Sequence, residues 1–213
     1  MMEQRRLDLR QLVAAIFPRA CRFVCEFGCG HGHFLAAYAQ RHPTKLCIGL
    51  DIDRERIARA TRKRERANSS NLHFIQSEAS LFLETLPDDA RFADIFILFP
   101  DPWPKKRHHK NRLIQPDFLS AIHRRAGEET RIYFRTDHEQ YYADARSVFE
   151  QHAGWQVVDE PWPFEHETVF QNRAASYRSL TARPRLTPEI CAQTSAENPL
   201  VTVGRSISTK DAP

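Results

Sequence analysis

Arg22-Phe23-Val24-Cys25-Glu26-Phe27-Gly28-Cys29-Gly30-His31-Gly32 joins a strand-forming run to three glycines at alternating positions, in a chain that holds only seven glycines. Residues without a Cβ are needed where a backbone turns sharply and lets a ligand come close. The stretch reads as a buried strand leading into a ligand-binding turn at the head of a helix. Outward from this first strand, residues 22–27, further strand-forming runs at 45–51, 71–76, 93–99, 131–136 and 155–159 alternate with helical patterns at 34–40, 54–66, 80–86, 116–125 and 139–152. The alternation predicts an α/β fold, doubly wound, with a mostly parallel sheet and helices on both faces. Right-handed crossovers then set the loops that follow the strands along one rim, where ligands of such sheets collect.

The chain has 213 residues, 41% apolar and 10% aromatic, which suits one globular domain and excludes a disordered chain. Residues 1–183 read as that single domain. From Pro184 onward polar residues and prolines without a periodic apolar face predict a mobile tail, 184–213. No apolar run approaches the ~20 residues of a membrane span, so no membrane partner is expected. Residues 1–19 show no small-residue cleavage site, which predicts a cytoplasmic protein. Cys21, Cys25, Cys29, Cys47 and Cys191 lack the spacing of paired zinc ligands and read as free thiols. His31, His33, His108 and His109 have no carboxylate or thiol at a ligand interval, so no metal is expected.

The dinucleotide fingerprint G-x-G-x-x-G fails because its third glycine is replaced by His33; what stands is E-x-G-x-G-x-G. Dinucleotide sites place a pyrophosphate on a helix N-terminus, whereas S-adenosylmethionine has no phosphate and carries an amino-acid end on a cationic sulfur. Glu26 followed by Gly28, Gly30 and Gly32 suits the second ligand. The second strand run closes with Asp51-Ile52-Asp53, where a carboxylate can accept both ribose hydroxyls; Asp51 is the first choice and Asp53 the alternative. The third ends in Gln76-Ser77-Glu78, polar groups within reach of an adenine edge.

After the fourth strand come Pro100-Asp101-Pro102-Trp103-Pro104 and then Lys105-Lys106-Arg107-His108-His109-Lys110-Asn111-Arg112. The prolines stiffen the exit of the sheet. The cations beside the ligand rim point to a nucleic-acid partner. The Arg-rich helix at 54–66 begins on the same rim and could extend the strip. Trp103 is either a base-stacking surface or packing under the proline turn. Phe164, Phe170 and Tyr177 read as core or pocket lip, and Cys29 has no base partner that would make it a nucleophile.

The segment from Phe99 to Leu113 resembles the signature of the bacterial tRNA (guanine-N7)-methyltransferases. The likeness extends over residues 21–182 through the glycine loop, the acid after the second strand, Thr136-Asp137 and Thr168-x-Phe170. It implies a Rossmann-like enzyme that uses S-adenosylmethionine to form 7-methylguanosine in tRNA, at position 46 of the variable loop. It further implies cofactor contact through Glu26, Asp51, Glu78 and Asp101, with Asp101 also catalytic. Substrate contact is implied for Lys105, Asp137, Thr168, Val169, Phe170 and Gln171, and RNA contact for Lys106, Arg107, His108, His109, Lys110 and Arg112.

The chain departs from the family's T-x-F-E at Gln171, from a common aromatic residue at His138, and from a double glycine at Ala126-Gly127. Two other readings stand beside this one: a catalytically weak RNA-binding protein of the same fold, and a methyltransferase with another substrate. Guanine N7 holds an in-plane lone pair and no proton, so its methylation needs alignment and no general base. A carboxylate offers only acceptors, so Asp101 or Asp137 can grip the donors on guanine's pairing edge.

Overall fold

The computed structural model describes residues 2–17, 19–166, 171 and 174–185. Its strands are β1 (Cys21–Phe27), β2 (Leu46–Asp51), β3 (Leu72–Gln76), β4 (Ala90–Leu98), β5 (Ala126–Thr136), β6 (Trp155–Val158) and β7 (Arg178–Pro184). They form one sheet in the order β3-β2-β1-β4-β5-β7-β6. β1 pairs in parallel with β2 and β4, β2 with β3, and β4 with β5, while β7 lies antiparallel between β5 and β6. The central strands read as unbroken apolar runs, Ile95-Phe96-Ile97 for example, because both faces of a parallel sheet are covered.

Helices α4 (Ala79–Thr85), α5 (Pro116–His123), α6 (Glu139–Gln151) and the N-terminal α1 (Met2–Ile16) pack around one core that includes Val13, Phe82, Leu119 and Phe149. Helices α2 (His33–Arg41) and α3 (Arg54–Arg66) pack around a second with Phe34, Leu35, Tyr38, Ile57 and Ala60. Two cores with the sheet between them are the doubly wound arrangement the sequence predicts. The chain builds outward from β1 to β3 and then crosses back to β4. The order thus reverses between β1 and β4, and the crevice at their carboxyl ends is where a ligand fits.

Several elements differ from the sequence reading, β4 among them, which begins at Ala90 where the expected run begins at Ala93. Residues 2–16 form a helix despite their interrupting charges, since Leu9, Val13 and Phe17 at four-residue spacing make a buried stripe. Residues 178–184 form β7, and Pro184, assigned to the tail, pairs with Trp155 inside the sheet. β5 begins at Ala126, five residues early, with a register shift against β4 between Phe92 and Asp94. Among the described residues no helix is long and apolar enough to cross a membrane, and no group of three or more His, Cys, Asp or Glu is placed to hold a metal ion.

Candidate active site

The turn after β1 departs from helix and strand geometry at each glycine. Gly28, Gly30 and Gly32 have φ of +78°, +53° and +68°, a region that residues with a Cβ rarely adopt. The amides of Gly28 and Cys29 both donate to the Leu50 carbonyl at 2.8 Å, and Lys63 Nζ donates to the His31 carbonyl at 3.0 Å. The turn is therefore pinned to the end of β2 and to α3. A Cβ built at Gly28 or Gly30 meets nothing within 4 Å, whereas at Gly32 it would lie 2.3 Å from the Phe74 ring. The first two glycines leave room for a ligand; the third lets the helix sit against the sheet.

Asp51 at the end of β2 accepts the Gly30 amide on Oδ2 and the Asp53 amide on Oδ1, each at 2.9 Å. Asp53, the alternative acid, caps α3 instead, accepting the amides of Glu55 at 2.8 Å and Arg56 at 3.1 Å. Glu26 at the end of β1 is 3% exposed, and its Oε2 has no hydrogen-bond partner among the described residues. Burial pushes its carboxyl up to about 8; the Leu35 amide pulls the other way and the Asp51 charge adds to the rise. A buried carboxyl with a bare oxygen beside an open turn has the chemistry to accept a donor or a cation. Burial also raises the Cys29 thiol well above its ordinary value, which keeps it protonated and no nucleophile. Glu78 heads α4 after β3, with its side chain 61% exposed and 3.7 Å from Arg5.

The exit of β4 is held in an uncommon conformation. Phe99 and Trp103, both bulky, have φ of +50° and +44°, so the Pro-Asp-Pro segment lies between two strained residues. The Phe99 amide donates to the Arg135 carbonyl at 2.7 Å. Asp101 is exposed on this turn, and Lys105, Lys106, Arg107 and Lys110 are exposed beyond it around a 3-10 turn, Lys106–Asn111. Trp103 is half-buried, its ring edge-on to His108 at 5.8 Å.

Arg112 corrects the sequence reading: it is 4% exposed and points inward, bonded to Asp144 at 2.5 Å and to the Pro102 carbonyl at 2.7 Å. It cannot meet RNA as it stands. His109 keeps its side chain 29% exposed, with Nε2 taken by Arg112 at 3.1 Å.

Asp137 is exposed at the end of β5. His138 after it caps α6, its Nδ1 accepting the Tyr141 amide at 3.2 Å. Thr168, Val169 and Phe170 lie outside the described residues, as do residues 186–213 of the expected tail and Cys191. Gln171 accepts from Arg135 at 3.4 Å and donates to the Tyr177 hydroxyl at 3.1 Å. Phe164 packs on Phe34 and Tyr38 in the second core, while Tyr177 meets Phe99 edge-on at the rim.

The structure thus brings Glu26, Gly28, Gly30, Gly32, Asp51, Glu78, Asp101 and Asp137 to the carboxyl ends of five neighbouring strands. A separate cavity of about 710 Å3 borders β6, β7 and α6 and includes none of these residues. Sequence reading missed Lys63, which anchors the glycine turn, and Arg135. The latter is 5% exposed, paired with Glu165 at 2.9 and 3.0 Å, and stacked between Trp162 and Tyr177. Arg131 and Arg135 bracket the apolar run Ile132-Tyr133-Phe134, and the place of Arg135 at the ligand-rim end of that strand is the signal that marks it.

The chain is similar to known proteins over most of its length. A tRNA (guanine-N(7)-)-methyltransferase of Thermotoga maritima is 32% identical over 168 residues, which cover 78% of this chain and 54% of the relative. One of Nitrosococcus oceani is 33% identical over 70% of this chain and 63% of the relative, and one of Nitrosomonas europaea 37% identical over 60% and 57%. The chain therefore spans between 54% and 63% of the length of these curated relatives.

Among solved structures, the aminoglycoside resistance methyltransferase NpmB1 has a TM-score of 0.56 at 15% identity, covering 83% of this chain and 93% of its own. A methyltransferase from Pyrococcus furiosus has a TM-score of 0.55 at 17% identity, covering 84% and 82%. Both share the fold. A family model described as "Putative methyltransferase" matches residues 21–181, across the glycine turn, the rim acids and the cationic segment, and the chain belongs to that methyltransferase family.

Proposed function

We propose that this protein transfers a methyl group from S-adenosylmethionine to N7 of a guanine in tRNA, in the cytoplasm and by family likeness in the variable loop. One juxtaposition carries the reading. On adjacent strands β1 and β4, a buried carboxyl with an oxygen that has no partner among the described residues stands beside a turn that presents Asp101 and then four exposed cations. The names of the relatives supply the base and the nucleic acid.

The rim residues fit the cofactor. Glu26 offers a bare oxygen to its amine, and the glycine turn leaves open space at Gly28 and Gly30. Each oxygen of Asp51 accepts one amide and retains a lone pair for a ribose hydroxyl. Glu78 and Gln76, at the end of β3, stand toward the adenine end. When bound, S-adenosylmethionine supplies an electrophilic methyl on a cationic sulfur.

Asp101 and Asp137 accept from the N1–H and amino group of guanine, a donor pair that adenine lacks. That grip turns N7 toward the crevice. Because N7 carries no proton, these residues align and need not deprotonate, work that supplies about 7–11 kcal/mol in favourable cases. Positive charge developing on the imidazole ring is stabilised by the Asp101 carboxylate. Lys105, Lys106, Arg107 and Lys110 meet phosphates.

The test is purified protein with methyl-labelled cofactor and tRNA from a strain lacking the modification, followed by nucleoside analysis. Labelled 7-methylguanosine is the expected product. Binding of both ligands without product would support the RNA-binding reading instead, and label on a small molecule alone would overturn the tRNA assignment.

A further inference from the structure

Arg112 stands at the end of the cationic segment yet is closed to solvent, and three parts of the molecule converge on it. Its Nε donates to the Pro102 carbonyl at 2.7 Å, its Nη1 to Asp144 Oδ2 at 2.5 Å, and its Nη2 lies 3.1 Å from His109 Nε2. Its guanidinium lies over the Tyr141 ring, 4.7 Å from the centroid. The partners belong to the Asp101 turn, to the 3-10 turn of the cationic segment and to α6. With Nε2 accepting from Arg112, the His109 ring proton sits on Nδ1, which faces Asp144 at 3.8 Å. The His109 carbonyl accepts from Gln115 at 2.9 Å, which ties the same turn to the head of α5.

A left-handed Phe99 and Trp103 persist only where neighbours hold them. The Phe99 amide secures the entry of that turn on β5, and Arg112 secures its exit through Pro102. Without the second tie, both Asp101 and the exposed lysines would have to be ordered at the moment RNA binds, at a cost in affinity.

We propose that Arg112 and Asp144 are a positioning pair that holds the Asp101 turn and the cationic segment in the arrangement tRNA meets, a role that rests on the tRNA reading above. Arg112 acts through these neighbours and touches no phosphate.

The charge of Asp144 gives the test its sign. Its side chain is 40% exposed beside a cationic strip, so on charge alone Asp144→Asn would tighten tRNA binding. Positioning predicts the reverse. Kd for unmodified tRNA, Kd for S-adenosylmethionine, kcat at saturating tRNA and Tm are measured for the native protein, Asp144→Asn, Arg112→Lys and Arg112→Met.

Asp144→Asn should weaken tRNA binding at least fivefold, and Arg112→Met at least tenfold with a loss of kcat as Asp101 is freed. Arg112→Lys should fall between native and Arg112→Met. Cofactor Kd should stay within twofold throughout. Where Arg112→Met fails to fold, Asp144→Asn decides alone. Native tRNA binding together with equal or tighter binding by Asp144→Asn would overturn the positioning role and leave the tRNA reading standing. A drop in the salt slope by about one for Arg112→Met with kcat unchanged would also overturn it, by marking a direct phosphate contact. Absence of tRNA binding by the native protein would overturn the reading beneath it, and this inference with it.

Discussion

Replacing Glu26 with Gln tests the site at its most buried group. The folded protein holds this carboxyl up to about 8 against an ordinary 4.5, chiefly through burial. Between these values the folded chain keeps a proton that the unfolded chain has released, so stability falls as pH rises. The slope approaches about 1.4 kcal/mol per pH unit and flattens near pH 8, for a loss of about 2 kcal/mol from pH 6 to 8.

Burial lowers His33, His42, His73 and His152 below their ordinary value, and stability from keeping them neutral is lost as pH falls through about 6.5. That slope opposes the Glu26 effect but is common to both proteins. The informative quantity is therefore the difference between native and Glu26→Gln in urea unfolding at pH 6, 7 and 8. It should move by about 2 kcal/mol in favour of the variant toward pH 8, because the amide carries no charge to desolvate. Added S-adenosylmethionine should raise Tm for the native protein and much less for the variant, which lacks a carboxylate for the amine. Parallel pH curves for the two proteins would refute the raised carboxyl and the receptor role built on it.

Gly32→Ala should destabilise by about 2–4 kcal/mol in urea titration, since the new methyl sits 2.3 Å from Phe74 at a left-handed φ of +68°. Asp101→Ala should lower kcat at least a hundredfold while tRNA Kd changes less than threefold, since the proposed function has Asp101 orient the base and leaves the affinity to the exposed cations; a variant of native activity would remove Asp101 from the chemistry. The salt dependence of tRNA binding should have a log–log slope of about −3 to −4 for phosphate contacts by Lys105, Lys106, Arg107 and Lys110, and a slope near zero would exclude them. Among Cys21, Cys25, Cys29 and Cys47, iodoacetamide should modify the half-exposed Cys21 first in the folded protein, as read by mass mapping, because burial shields the other three and holds their thiols protonated.

Patterns that act within a few residues of themselves were readable before any fold was known. Strand-forming runs at 93–99 and 71–76, the glycines that tolerate positive φ, and acids placed at strand ends are local consequences of backbone sterics and burial. They led to the sheet, the turn and the rim. Even α1 has a local signal, the stripe of Leu9, Val13 and Phe17, masked by its charges.

What the tertiary structure alone decided depends on contacts between residues far apart in the chain. The sequence ranks Asp51 above Asp53 only by its place at the strand end, and the amides of Gly30, Glu55 and Arg56 are what separate the acid on the glycine turn from the helix cap. β7 joins the sheet because β5 and β6 offer unpaired edges on either side of it; the alternation Leu180-Thr181-Ala182, set between Ser179 and Arg183, is too short to mark a strand by itself. Arg112 looks like its basic neighbours in sequence and differs because Asp144, thirty-two residues away, meets it in the interior. Charge is a property of the residue, but whether it faces solvent or a buried partner is a property of the packed chain.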